Sequence, residues 1–258
     1  MSSLNALFDH ASADRRHGAS EIERSLVTAL LDERRSWTAA GLASGARRLL
    51  SGQPAMANLR NLARELEGGD LENLDRWMRR RSVLLAELDG RLANSAWPLI
   101  ATSRRVLTIS RSSAVAAVLV GGWRRGWRGE TVVFDPSPAG GGVDQAGRLS
   151  EEMDHVRSQP DSATPRWLAG GGVLVLVGAD AVSPERLVNV GGTTALLELA
   201  AVRSVPVVVV ADSGKDLPDA EIDEVLCSGP EVVEEGTGRR RPLFEAAAMD
   251  LVTERIRE

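Results

Sequence analysis

Four short runs of aliphatic residues constrain this chain more than any other feature. "RVLTIS" ends at Ser110, "TVVFD" at Asp135, "VLVLVGAD" at Asp180 and "VPVVVVAD" at Asp212. The third run follows Gly170 to Gly172 and precedes Ser183-Pro184, the pattern of a strand covered on both faces. Helical stretches at 114–121, 144–156 and 193–202 lie between the runs. Strands alternating with helices predict a parallel sheet joined by crossovers. Small molecules bind such sheets beyond the carboxyl ends of the strands, so an acid at a strand end is either a site residue or a turn former. Asp180 poses that choice.

The preceding ninety residues have a different period. Ile22, Leu26, Ala29 and Leu30 recur at helical spacing, Gly41 and Gly45 allow a break, and Ser51-Gly52-Gln53-Pro54 ends the run. Pro54 suits the first turn of a second helix, stopped by Gly68-Gly69. Asp70 caps a third helix, expected to end before Pro98. The expected fold class is therefore α/β, with an N-terminal helical subdomain over 1–95 and a Rossmann-like parallel-sheet domain over 96–258.

Composition excludes several functions. One cysteine, Cys227, and three histidines supply neither an internal disulfide nor a metal cluster, so no metal is expected. No apolar run reaches membrane-spanning length, and "MSSLNALFDHASADRR" lacks the apolar core of a signal peptide, so a cytoplasmic protein with no membrane partner is expected. A net charge of −5 argues against holding nucleic acid through the overall field. "GGWRRGWRG" at 121–129 could stack on bases, but such a segment is more often a helix end with arginines at the negative pole of the dipole, and "GRRRP" at 238–242 is read the same way. Lys215 is the only lysine among 31 basic residues.

Two turns have the composition of an anion cradle. In "TISRSSAVAAVL" a strand ends at Ser110 and a helix begins near Ser113, so Ser110, Arg111, Ser112 and Ser113 offer hydroxyls, free amides and a guanidinium. A serine cap with a solvent-facing arginine is the plainer alternative. In "NVGGTTALLELAA", Gly191 and Gly192 permit close approach before a helix that Thr193 or Thr194 would cap. Two such turns on one sheet edge predict a site for a phosphorylated sugar or nucleotide. "SPAGGGVDQAG" lacks the glycine spacing of a dinucleotide fingerprint, so neither a nicotinamide nor a flavin cofactor is expected.

These segments, together with "HGAS" at 17–20, "GQPAMANLRNLAREL" at 52–66, "VPVVVVADSGK" and "RPLFE", resemble the translation initiation factor 2B alpha/beta/delta family. That family shares its fold with the isomerases of methylthioribose 1-phosphate and ribose 1,5-bisphosphate. The resemblance implies a catalytic acid/base role for Asp180 in an isomerase, ligand contacts at Asn189, Gly192 and Thr193, and a functional Lys215. It also implies a homodimer, with "RPLFEAAAMDLV" suited to the contact or to covering the sheet edge, and a possible translation-factor partner. The chain departs from the isomerase pattern where Ser110 stands for a cysteine, Val190 for a lysine, and Gln53 and Ser137 for arginines. A serine hydroxyl has no accessible pKa and needs a separate base. The resemblance thus implies a regulatory or ligand-sensing protein without catalysis, with an altered isomerase and a structural subunit with a vestigial pocket as alternatives.

Overall fold

The computed structural model describes residues 3–15, 17–234 and 236–258. Five helices come first: α1 (Ser3–Ala13), α2 (Ala19–Asp32), α3 (Ala39–Gly52), α4 (Ala57–Glu67) and α5 (Leu71–Thr102). The α2–α3 break falls at 33–38, ahead of Gly41 and Gly45, where Thr38 caps α3 by accepting from the Gly41 amide. Asp70 caps α5 as expected, accepting from the amides of Glu72 and Asn73. The helix does not stop before Pro98, however; it carries that proline inside. Pro98 removes the donor for the carbonyl of Asn94, and both residues face solvent, where water can take the orphaned group. Position 95 therefore lies within a continuous helix.

The remainder runs β1 (Arg105–Ile109), α6 (Ser113–Arg124), β2 (Glu130–Asp135), α7 (Gly142–Ser150), β3 (Val156–Pro160), α8 (Thr164–Trp167), β4 (Val173–Gly178), β5 (Ala181–Val182), β6 (Arg186–Val190), α9 (Thr193–Val202), β7 (Val207–Val210), α10 (Ile222–Ser228), β8 (Glu231–Val233), β9 (Arg240–Pro242), β10 (Phe244–Ala248) and β11 (Glu254–Ile256). Six strands form one parallel sheet in the order β11-β7-β4-β1-β2-β3. Strand order reverses between β1 and β4, and the crevice beyond that pair is where a doubly wound sheet takes a ligand.

Successive residues of a strand point to opposite faces, and the two cores divide accordingly. Val106, Val133, Leu174, Leu176, Val208 and Val210 pack with the N-terminal helices, α6 and α7 into one large core containing Phe8, Leu49, Met78 and Leu92. Leu107, Ile109, Val132, Val175 and Val209 face the other way, under Leu196 and Leu197 of α9. A three-stranded sheet, β10-β6-β5, projects beyond β4 and packs on Ala55 and Ala57 at the start of α4. "RPLFEAAAMDLV" is thus used within the chain, with β10 pairing antiparallel to β6, and the edge beside β7 is covered by β11. No helix among the described residues is long and apolar enough to cross a membrane.

Candidate functional site

A two-lobed cleft opens at the carboxyl ends of β1 and β4, with volumes of about 440 and 830 Å³. Gly18, Ala19, Arg111, Arg148, Asp180 and Asn189 border both lobes. Ser112, Ser113 and Lys215 line the smaller lobe, and Ser110 the larger. Gly192 and Thr193 line neither.

The turn before α6 faces the smaller lobe of the cleft. Ser112 is the N-cap and its Oγ accepts from the Val115 amide at 3.3 Å, while the other first-turn amides have no intrahelical partner. Gly178 is what lets this turn approach β4, since a Cβ there would collide with the Ser112 side chain. Ser110 sits in the left-handed region at φ 56, a conformation costing a serine about 1–2 kcal/mol. Its Oγ donates to the Gly140 carbonyl at 2.9 Å, so the hydroxyl standing where the resemblance implies a cysteine is engaged with backbone. The Arg111 guanidinium has no ion pair or hydrogen bond among the described residues and borders both lobes.

The turn before α9 is closed, against expectation. Gly192, at φ 96, takes the N-cap position in place of a threonine. The Thr193 hydroxyl donates back to the Val190 carbonyl at 2.7 Å and accepts from Asn189 Nδ2 at 3.0 Å. The Thr194 amide donates to Glu245 Oε1 of β10 at 2.6 Å, so an internal carboxylate holds the place expected for a ligand anion. α9 also lies on the opposite face of the sheet from α6. Thr193 therefore orients Asn189, which reaches the cleft while Thr193 does not.

The strand-end aspartates divide in the same way. Asp135 Oδ1 accepts from the amides of Gly142 and Val143 at 2.6 and 3.3 Å and so caps α7. Asp212 Oδ1 accepts from the Gly214 amide at 2.9 Å and from Arg81 at 3.1 Å. The Asp180 backbone is pinned on both sides, its amide donating to Val188 and its carbonyl accepting from Ala57, yet its carboxylate accepts no hydrogen bond among the described residues. Burial pushes that carboxyl above the usual aspartate range, with the Lys215 ammonium pulling it back. Lys215 is only 6% exposed, and its Nζ donates to the carbonyl of Ala179, next to Asp180.

Sequence reasoning missed a buried network behind the cleft. Arg81 on α5 donates through Nε and Nη2 to both oxygens of Glu23 on α2, at 2.6 and 2.8 Å. Asn58 on α4 donates to the same Glu23 at 2.9 Å. Burial raises the Glu23 carboxyl, opposed by Arg81. Burial alone would lower the Arg81 guanidinium, but Glu23 and Asp212 reverse that and hold it above its ordinary range. Arg148, another residue missed, borders both lobes, and its one pairing among the described residues is a long 3.9 Å contact to Glu21. Gln53, at the position of an expected arginine, donates to the carbonyls of Ala11 and Asp14 and so fastens the end of α1. Cys227, the one thiol, is exposed on α10 and lines neither lobe. Among the described residues no group of three or more His, Cys, Asp or Glu could hold a metal.

A family model described as the initiation factor 2 subunit family matches residues 15–251. The fold is similar to that of the translation initiation factor eIF-2B from Pyrococcus horikoshii OT3, with a TM-score of 0.85 at 21% identity over 99% of this chain and 95% of that one. It is similar to eIF2B delta from Chaetomium thermophilum, at 0.76 and 16% over 99% and 97%. It also resembles 5-methylthioribose 1-phosphate isomerase from P. horikoshii OT3, at 0.69 and 15% over 99% and 83%. No curated protein matches the chain.

Proposed function

The chain belongs to the initiation factor 2 subunit family, and on that footing we propose that it is a regulatory or ligand-sensing member that binds a phosphorylated sugar or nucleotide without turning it over. The observation carrying this reading is that Arg111, whose guanidinium has no ion pair or hydrogen bond among the described residues, borders the same cleft as Asp180, whose carboxylate accepts no hydrogen bond among them. Arg111 and the α6 amides suit a phosphate. Asp180 accepts hydrogen bonds from sugar hydroxyls, and Asn189, whose amide nitrogen is held by Thr193, adds an acceptor beside it. Ser112 and Ser113 complete the phosphate end. Gly192 and Thr193 act at one remove, by orienting Asn189.

Absence of turnover is supported by Ser110, whose hydroxyl donates to the Gly140 carbonyl and to no side-chain base among the described residues, leaving Asp180 to run both proton transfers of an aldose–ketose isomerisation. The second reading, an isomerase with altered catalytic residues, draws on the Asp180 carboxyl, which burial raises in the direction that suits a general acid. A thermal-shift screen of sugar phosphates and nucleoside monophosphates, followed by calorimetry, tests binding. An assay on ribose 1,5-bisphosphate and methylthioribose 1-phosphate tests turnover. Binding without turnover is expected. Turnover abolished by Asp180→Asn selects the isomerase, and a screen in which nothing binds leaves a structural subunit with a vestigial pocket. We further propose a cytoplasmic homodimer, open to a translation-factor partner. A light-scattering mass of one chain at micromolar concentration would exclude the dimer.

A further inference from the structure

The turn carrying Lys215 is fastened from several directions. Asp212 accepts from the Gly214 amide inside the turn. Asn61 of α4 donates to the carbonyls of Gly214 and Asp216 at 2.9 and 3.0 Å, and Glu258 accepts from the Ser213 amide at 2.9 Å. The fourth tie is Arg81, which joins Asp212 to Glu23 and rests against Gly214 of the turn. A Cβ at Gly214 would overlap Arg81 Nη2, so the glycine leaves the space that the guanidinium fills. Arg81 and Glu23 are 9% and 1% exposed. Glu23 lies one helical turn beyond Ala19 and Ser20, which line the cleft. The network therefore joins the cleft's helical wall to the turn that holds its lysine.

We infer that Arg81, clamped by Glu23, is a positioning residue for the cleft: through Asp212 it fixes the Ser213–Lys215 turn and so holds the chain's only lysine against Asp180. The importance of that placement for binding rests on the proposed ligand role of Asp180, but the placement itself does not. A buried bidentate pair bridging three elements is a costly way to stabilise a fold, because apolar residues of similar volume do as well or better; what it adds is a single geometry. Gly214 points the same way, being kept free of a side chain where the guanidinium rests.

One lysine in the chain means one lysine side-chain signal in a protein labelled with carbon-13 at the lysine ε position, so no assignment is needed. In the parent, this signal is expected away from the position of a free, solvated lysine. Arg81→Met should return it at least halfway to the free position. Gly214→Ala, which displaces the guanidinium while keeping every charge, should move it the same way. Leu42→Ala, a core change on α3 remote from the turn, lowers stability and should leave the signal in place. If Arg81→Met does not fold, Gly214→Ala and the apolar pair Glu23→Leu with Arg81→Met supply the reading. A signal unmoved by these variants, or moved equally by Leu42→Ala, overturns the positioning role. A parent that binds no sugar phosphate while its lysine signal responds keeps the positioning and removes the binding role, and binding with an unresponsive signal does the reverse.

Discussion

The turns before α6 and α9 are built from the same materials, small residues and hydroxyls at a helix N-terminus that follows a strand, yet one is open and the other shut. At α6, no acid among the described residues reaches the first-turn amides, and the Arg111 guanidinium beside them has no ion pair or hydrogen bond among those residues. At α9, Glu245 arrives from 51 residues away and accepts from Thr194. An anion cradle is thus defined by what the rest of the fold withholds from it as much as by its own residues. The strand-end acids repeat the lesson, since Asp135 and Asp212 are engaged with backbone amides and Asp180 is left over.

The largest effect expected from this contrast is at the open turn. Arg111→Ala should weaken calorimetric binding of the best sugar phosphate by about 1.5–3 kcal/mol, the worth of a hydrogen bond to a charged group. Equal affinity in that variant would make the turn a capped helix and erase the contrast. At the closed turn, Glu245→Ala should leave that affinity unchanged while lowering stability to chemical denaturation by about 1 kcal/mol, the scale of a lost helix cap. Loss of binding there would mean that both turns serve the ligand. The smallest effect concerns Asp180. Its carboxyl is raised in the folded state, so folding favours the protonated form, and that contribution is present in acid and lost as pH rises through the folded pKa. Asp180→Asn should therefore raise Tm slightly at pH 7, with the gain closing below about pH 4, the ordinary aspartate range. A variant less stable at pH 7 would show that the carboxylate is held by the fold like its two counterparts.

Much of this was legible from local pattern. β1, β2, β4 and β7 are the four aliphatic runs, because central strands of a parallel sheet must be apolar on both faces. α9 spans 193–202 as its period implies. β3, "VRSQP", was not legible: as an edge strand it is half-exposed and needs no apolar run. β6 and β10 are antiparallel partners 54 to 62 residues apart, a pairing that no local period encodes. Of the site, the α6 turn, Asp180, Asn189 and Lys215 converge on one cleft. The closure of the α9 turn and the Glu23–Arg81–Asp212 network were hidden for one reason, that each depends on a charged partner brought in from a distant element.

Helix α5 has a mechanical consequence. Thirty-two residues make a beam about 48 Å long, and it begins among the N-terminal helices and ends at Thr102, with two residues left before the first strand opens at Arg105. Pro98 sits in its last turns without ending it, and the apolar core beneath is shared by helices and sheet alike. No slack segment joins the two halves at that point, so the walls of the cleft have no joint there on which to swing apart. A ligand of the proposed kind would find the mouth of the cleft already formed, and heating should melt helices and sheet together in one calorimetric transition.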